Sequence, residues 1–517
     1  MSVFMWGKRI FIGIVSLCFL LNAKAQESEE IVGQIIDQKL KFPVVFATVQ
    51  LQKEESGVVA DENGYFRIPA NHLSTDEILR ISAIGYETKT LQFKTLSTHK
   101  INTIFLTPRV ESLNEVVLKP GNTKSTKLSA EGIVKKAIQN IGVNYPRQAF
   151  SYIGYYRDYQ LLNNQYTNLN EGIVEVFDGG FATDQLTDSI NQTLLYSFRT
   201  NTNFITDSTV AVPYGSDNKF IKHSSISPLG GNELSLLNLH DPIRNNKRKT
   251  FSFIYKLREN FVAHHDFELS NIHYLDDTPL YEITFNAKKE VTGVQNSAHG
   301  TLYISKSNYA IHKLSYLGYV VNERDPLFSV TLEYAKKGAH MYLNYISFNN
   351  FFQVKSKDDF SMKDIEFDAS LNAFYISFNN AVNKDNATNK KNYKFILNKR
   401  KLNIDKIVLK EPNMVKISLV QGTVPKNTEV NEEWMRSIKY RFKNITDIAN
   451  RKLNRTTLIG AHQFRELFVQ KVFPNKPLPP DQKSYVLKTS PLSESEINAN
   501  SKAKKYWVNT PLKVSNR

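Results

Sequence analysis

The chain has 517 residues, with 66 Lys and Arg against 50 Asp and Glu, a formal charge of +16, 25 Tyr, 32 Phe and one cysteine, Cys18. A single cysteine excludes an internal disulfide and a Cys-ligated zinc centre. No apolar stretch beyond the first 25 residues is long enough to span a bilayer as a helix.

The chain opens with Lys8 and Arg9, an apolar run from Ile10 to Leu21, and the small-x-small triplet Ala23-Lys24-Ala25. That order is a secretory signal peptide over 1–25. Leu17 before Cys18 does not suit a lipoprotein cleavage box. The mature chain is expected to be exported, free of cysteine and without a transmembrane helix. Its charge is +13, since Lys8, Arg9 and Lys24 leave with the signal. Export argues against nucleic acid as a partner and turns the positive surplus toward anionic lipid heads, polysaccharide, an acidic protein complex or plain solvent.

From 26 to 108 the pattern is strand and turn. IVGQIID (31–37) alternates, PVVFATVQL (43–51) is a strong β-forming run, and GVVADENGYFRI sets a turn between two strands. Asp61 and Asn63 have side chains that bond back to their own backbone, and Gly64 takes a positive φ without penalty. A second glycine corner, Gly85-Tyr86, breaks EILRISAIGYETKTLQF (77–93), and INTIFLTP (101–108) closes the segment. Short strands with regular turns predict a small β-sandwich. The order Gly33-x-Ile35-x-Asp37, Pro43-Val44-x-x-Ala47-x-Val49, Asp61-x-Asn63-Gly64-x-Phe66 and Ile81-x-x-Ile84-Gly85-Tyr86 resembles the carboxypeptidase D regulatory-like domain. That resemblance implies a transthyretin-like fold, common at the N-terminus of outer-membrane and surface proteins of Bacteroidota, without the zinc centre of the peptidase. His72 and His99 lack the spacing of such a centre, so Asp61–Ile68 is expected to be a structural corner.

Residues 109–144 are expected to form a connector strand and a helix. VESLNEVVLKP (110–120) is the strand, and Ser129 caps a helix in which Ile133, Val134, Ala137, Ile138 and Ile141 recur at helical spacing. An antiparallel sheet domain is predicted over 145–401, with a polar excursion at 182–250. The helix, the NYP triplet, the Tyr-rich strand after it and EGIVEV (171–176) resemble large uncharacterised outer-membrane-associated proteins of Bacteroidota, many of which continue into a barrel. The chain stops short of that barrel, which implies an envelope domain alone. From 250 onward TFSFIYKL, FVAHHDFELSNIHYL and the following runs read as an antiparallel meander with a hairpin at Lys306–Asn308. Gly300–Ile304 with Asn308–Ile311 resembles the strands of lipoprotein-carrier-like sheets, which curve around a hydrophobic cavity. The alternation fits an empty cavity or a face filled by side chains or a covering helix.

The last region, 402–517, is expected to be α/β. Trp434, Ile438, Phe442, Ile445 and Ile448 mark a helix over 431–454, and HQFRELFVQKVFP (462–474) extends it. Ser493 and Glu496 form a capping box, and Tyr506-Trp507 docks back onto the sheet. Basic helices beside aromatics also allow a membrane-surface role.

Chemistry is sparse. In AHHDFEL a strand would point His264, Asp266 and Glu268 one way and His265 the other, with His273 and His312 as further metal ligands. An ordinary core or surface role for these histidines competes with that assignment. DDTP (276–279) and DFSMKDIEFD (359–368) offer carboxylates without a defined separation. No nucleophile elbow, zinc helix, P-loop or dinucleotide fingerprint occurs. No catalytic residue, metal ligand or cofactor is assigned. The expectation is a mainly β protein: a transthyretin-like sandwich, a large antiparallel sheet domain and C-terminal helices. Its expected role is to bind or scaffold an outer-membrane or periplasmic protein complex without catalysis, and the alternative is a lipid or glycan carrier.

Overall fold

The structure is a computed structural model that describes residues 30–70, 74, 76–112, 128–162, 165–214, 216–221, 231–248, 256–323, 325–355, 359–425, 428–448, 450–456, 458–480, 484–498 and 505–512. The expected signal peptide at 1–25, residues 113–127 of the expected connector, His72 and residues 250–255 of the TFSFIYKL run lie outside the described residues.

A 12-stranded sheet dominates. In spatial order it runs Gln192–Thr200, Gln165–Asp178, Phe150–Leu162, Leu458–Phe473, His340–Lys355, Phe328–Lys337, Ile311–Val320, Asn296–Ser305, Thr278–Ala287, His265–Leu275 and Val110–Ser112, and Lys219–Phe220 pairs with His340–Lys355. Alternating burial along runs such as Phe328–Lys337 shows why the period-2 pattern forms strands here.

One face of this sheet is covered by helices. Ala130–Gln139 is capped by Ser129, whose hydroxyl accepts from Gly132 N, and buries Ile133, Val134, Ala137 and Ile138. Glu233–Leu239 adds Leu234 and Leu237. With Tyr145, Phe261, Phe285, Tyr316, Phe328 and Ile346 they form one continuous core. Each such side chain contributes about 1.5–3 kcal/mol by leaving water. Of the two alternatives the sequence left open, this face is filled.

The N-terminal sandwich packs on the opposite face. One of its sheets orders Tyr65–Pro69, Glu30–Asp37 and Asn102–Leu106, and the other Ser56–Val59, Thr48–Leu51, Ile78–Ser82 and Lys89–Gln92. Ile35, Val49, Phe66, Ile81 and Leu106 form its core, and Trp507 from the other end of the chain joins them.

Between Lys355 and Leu458, which face each other as partners in the large sheet, the chain leaves to build a separate unit. Its strands Met362–Asp368, Ala373–Phe378, Met414–Leu419 and Ile404–Glu411 form one sheet, and Arg400–Leu402, Tyr393–Leu397 and Lys439–Phe442 another. Phe360, Phe374, Ile376, Phe395 and Ile417 lie at its centre.

The molecule is thus mainly β, with a small N-terminal sandwich, a large antiparallel sheet and a few short helices in its C-terminal third. Four local expectations change. The helix over 431–454 shrinks to Glu432–Ser437, capped by Asn431, and is followed by the strand Lys439–Phe442. The run at 462–474 belongs to the strand Leu458–Phe473, inserted at the middle of the large sheet. From Arg465 to Gln470 it is buried on both faces and lacks alternation, so its apolar run there fits either period. The box at 493–496 is only a 3-10 turn, Leu492–Glu494. The polar stretch 182–250 contributes two strands and a helix, Gln192–Thr200, Lys219–Phe220 and Glu233–Leu239.

Candidate functional site

The sandwich meets the sheet through its two glycine corners. At the first, Asp61 Oδ1 accepts from Asn63 N and Tyr65 N, both at 2.9 Å, and Gly64 sits at φ +72. The corner touches the sheet through Glu62, whose Oε1 accepts from Tyr166 OH at 3.1 Å. At the second corner Gly85 N donates to Tyr274 O at 2.8 Å. Gly85 has φ +87, and a Cβ there would lie 2.6 Å from His273 Nδ1, so only glycine fits the contact. Asp276, at the tip of the hairpin between His265–Leu275 and Thr278–Ala287, accepts from Arg80 and Thr88. Its carbonyl accepts from Arg109 Nη1 at 2.9 Å.

Beneath the first corner lies a fully buried ion pair. Arg157 Nε donates to Glu466 Oε2 at 2.5 Å, and Tyr345 OH donates to Glu466 Oε1 at 2.8 Å. Phe46 of the sandwich stacks on Tyr345 with ring centroids 4.4 Å apart. The C-terminal segment 505–512 closes the seam. Trp507 O accepts from Gln470 Nε2 at 2.6 Å, Trp507 Nε1 donates to Arg67 O at 2.8 Å, and Thr510 Oγ1 donates to Glu171 Oε1 at 2.7 Å. The Tyr506-Trp507 pair therefore docks between sandwich and sheet, with Trp507 inside the sandwich core.

Beside this seam the two units leave an open cleft of about 800 Å³. Its walls are rich in hydroxyls and amides, among them Gln50, Ser82, Ser305, Asn344 and Gln470. Arg80 and Asp276 neutralise each other in it, and Lys337 lies 3.7 Å from Glu55. His312 borders the cleft, and burial pushes its pKa down to about 4, so the ring is neutral. Such a lining suits hydrogen bonding to a polar chain, and it pairs no nucleophile with a base.

The helix-covered face holds a second polar cluster. Arg465 bonds Glu233 and donates from Nη1 to Asn350 Oδ1 at 2.8 Å. Lys219 Nζ donates to Val212 O at 2.9 Å. Burial, aided by the Glu233 charge, raises the Asp158 carboxyl to about 7, and burial lowers Lys219 to about 8. Perturbed groups of this kind flag functional sites when a cleft reaches them. None of the three described cavities borders either group, and the two on this side of the sheet hold only about 30 and 20 Å³.

The histidine run does not converge. His264 ends the short helix Phe261–His264 and His265 begins the next strand, so the pair straddles a change of period. His265 bonds Phe261 O at 2.7 Å and Tyr316 OH at 2.9 Å inside an aromatic cage. His273 pairs with Glu282 at 3.0 Å, Asp266 lies 3.9 Å from Lys288, Glu268 faces Thr284 across the strand pair, and His312 borders the cleft instead. Among the described residues no group of three or more His, Cys, Asp or Glu is placed to hold a metal ion. The residues that build the cleft and seam, such as Asp276, Glu466 and Trp507, carry no motif. The signals that marked the contact were the turns at Gly64 and Gly85 and the aromatic pair Tyr506-Trp507.

Residues 31–118 match the CarboxypepD_reg-like domain family. The N-terminal sandwich is therefore a CarboxypepD_reg-like, transthyretin-like domain. No curated protein matches the chain. Among solved structures, a LolA superfamily protein from Nitrosomonas europaea is 14% identical, with 43% of this chain and 86% of that one covered and a TM-score of 0.19. A DUF1329 family protein from Desulfovibrio piger gives 9%, 43%, 87% and 0.21. A chain of the Pseudomonas aeruginosa MucA/MucB complex gives 9%, 61%, 99% and 0.15. Likenesses at these TM-scores carry no functional weight.

Proposed function

We propose that the protein is an exported, non-enzymatic component of the Bacteroidota cell envelope that binds or scaffolds an outer-membrane protein complex. Its docking place is the cleft between sandwich and sheet. The open, polar cleft of about 800 Å³ carries this reading, because its lining offers donors and acceptors along several separate chain segments without a catalytic constellation. The packed core on the opposite face supports binding of a protein over carriage of a lipid, which needs an apolar cavity. The test is purification from the native envelope in mild detergent, with mass spectrometry of proteins and lipids. A stoichiometric protein partner is expected, and recovery of a monomer loaded with lipid would overturn the scaffold reading in favour of the carrier.

A further inference from the structure

The unit inserted between Lys355 and Leu458 concentrates the charge of the chain. Between 359 and 456 it holds 19 Lys and Arg against 11 Asp and Glu. The sequence KYRFK (439–443) explains where part of that excess goes. On a helix its cations would scatter. On the strand Lys439–Phe442 they alternate, so Lys439 and Arg441 share a face, with Lys443 just beyond the strand end continuing the row. Register adds more. Lys394 lies opposite Arg441, and Ile396 lies opposite both Lys439 and Lys401. Phe395, Leu402 and Tyr393 turn the other way into the core.

The outward face of this three-stranded sheet therefore carries Lys394, Lys401, Lys439 and Arg441 around the half-buried Ile396. None of these cations, nor Lys443, forms an ion pair among the described residues, and no carboxylate is paired opposite them. Like charges placed directly opposite each other destabilise a sheet, so Lys394 opposite Arg441 is a local penalty that nothing in the unit's own packing offsets.

We infer that this face docks on an anionic phospholipid surface. Its side chains are donors only, which matches a layer of phosphate oxygens and not the mixed donors and acceptors of sugar hydroxyls. Ile396, at the centre of these cations, supplies the apolar contact that an interface between headgroups and acyl chains accepts. Each Lys or Arg near such a surface adds about 1 kcal/mol of attraction at physiological salt.

The experiment is flotation of the full chain with phosphatidylcholine vesicles, with and without phosphatidylglycerol. Lys439→Glu/Arg441→Glu is compared with Lys94→Glu/Lys289→Glu, an equal change in charge at exposed sites elsewhere. Lys439→Gln/Arg441→Gln serves as a milder variant, and unchanged thermal melting establishes that each is folded. Binding is expected only with phosphatidylglycerol, weakening roughly tenfold or more in the face variant and less than about twofold in the control. Failure to bind, equal binding to neutral vesicles or equal weakening by the control would overturn the inference. Tighter binding to dextran sulfate or duplex DNA than to vesicles at the same salt would overturn it too, by assigning the face to a different polyanion.

Discussion

The two faces of the large sheet treat the same local sequence differently. Strands Phe150–Leu162 and Leu458–Phe473 are neighbours, and each places a cation and a carboxylate side by side: Arg157-Asp158 and Arg465-Glu466. Register sets Arg157 opposite Glu466 and Asp158 opposite Arg465. Alternation sends the first pair to the sandwich face and the second to the helix face. Under the sandwich the charges meet at 2.5 Å. Under the helices Arg465 turns instead to Glu233, and Asp158 is left with the neutral donors Tyr156 OH and Asn170 Nδ2, at 3.0 and 3.1 Å. At Asp158 burial and the Glu233 charge raise the pKa and outweigh the lowering by these two hydrogen bonds.

The largest effect should follow from breaking the pair that is satisfied. Arg157→Met leaves Glu466 buried without its cation and is expected to lose about 3–5 kcal/mol in urea unfolding. Arg157→Met/Glu466→Leu should recover most of that loss, and a double variant no better than the single would contradict the pairing. Trp507→Ala removes the C-terminal anchor from the sandwich core and should lose about 3 kcal/mol, read by the same unfolding together with faster proteolysis of the seam.

The helix face gives a pH signature. Asp158 has its folded pKa raised to about 7, against about 3.9 unfolded. The folded state therefore binds more protons between those values. Its contribution is fully present below pH 4 and is lost as pH rises through 7. Asp158→Asn should flatten this fall by on the order of 2 kcal/mol, seen as a smaller drop in Tm between pH 5 and pH 8. The smallest effect is expected at the docking corner. Gly85→Ala meets both a positive φ and the His273 ring, and should lose about 1–2 kcal/mol while loosening the sandwich against the sheet in hydrogen exchange.

The sequence was most legible where structure is local. Gly64 and Gly85 marked turns, Ser129 marked a helix start, and alternation from 296 to 337 marked consecutive strands. It was least legible where the pairing is distant. Arg157 and Glu466 are 309 residues apart, and Trp507 reaches Arg67 across 440. Leu458–Phe473 sits between strands from two far earlier parts of the chain, and burial of both faces from Arg465 to Gln470 erases the alternation there. The same non-locality hid the cleft, whose walls come from segments near 50, 306, 340 and 470. The run of histidines was legible as chemistry but misleading, because the helix-to-strand change at His264 separates side chains that one period would have aligned.

Docking of another protein in the cleft is tested most directly by photo-cross-linking in the native envelope. A benzophenone side chain at Gln50 or Lys336, on opposite walls, is compared with one at Lys289, outside the cleft. One shared protein adduct is expected from both cleft positions and none of it from Lys289. Lipid adducts from the cleft, or the same proteins captured from all three positions, would contradict it.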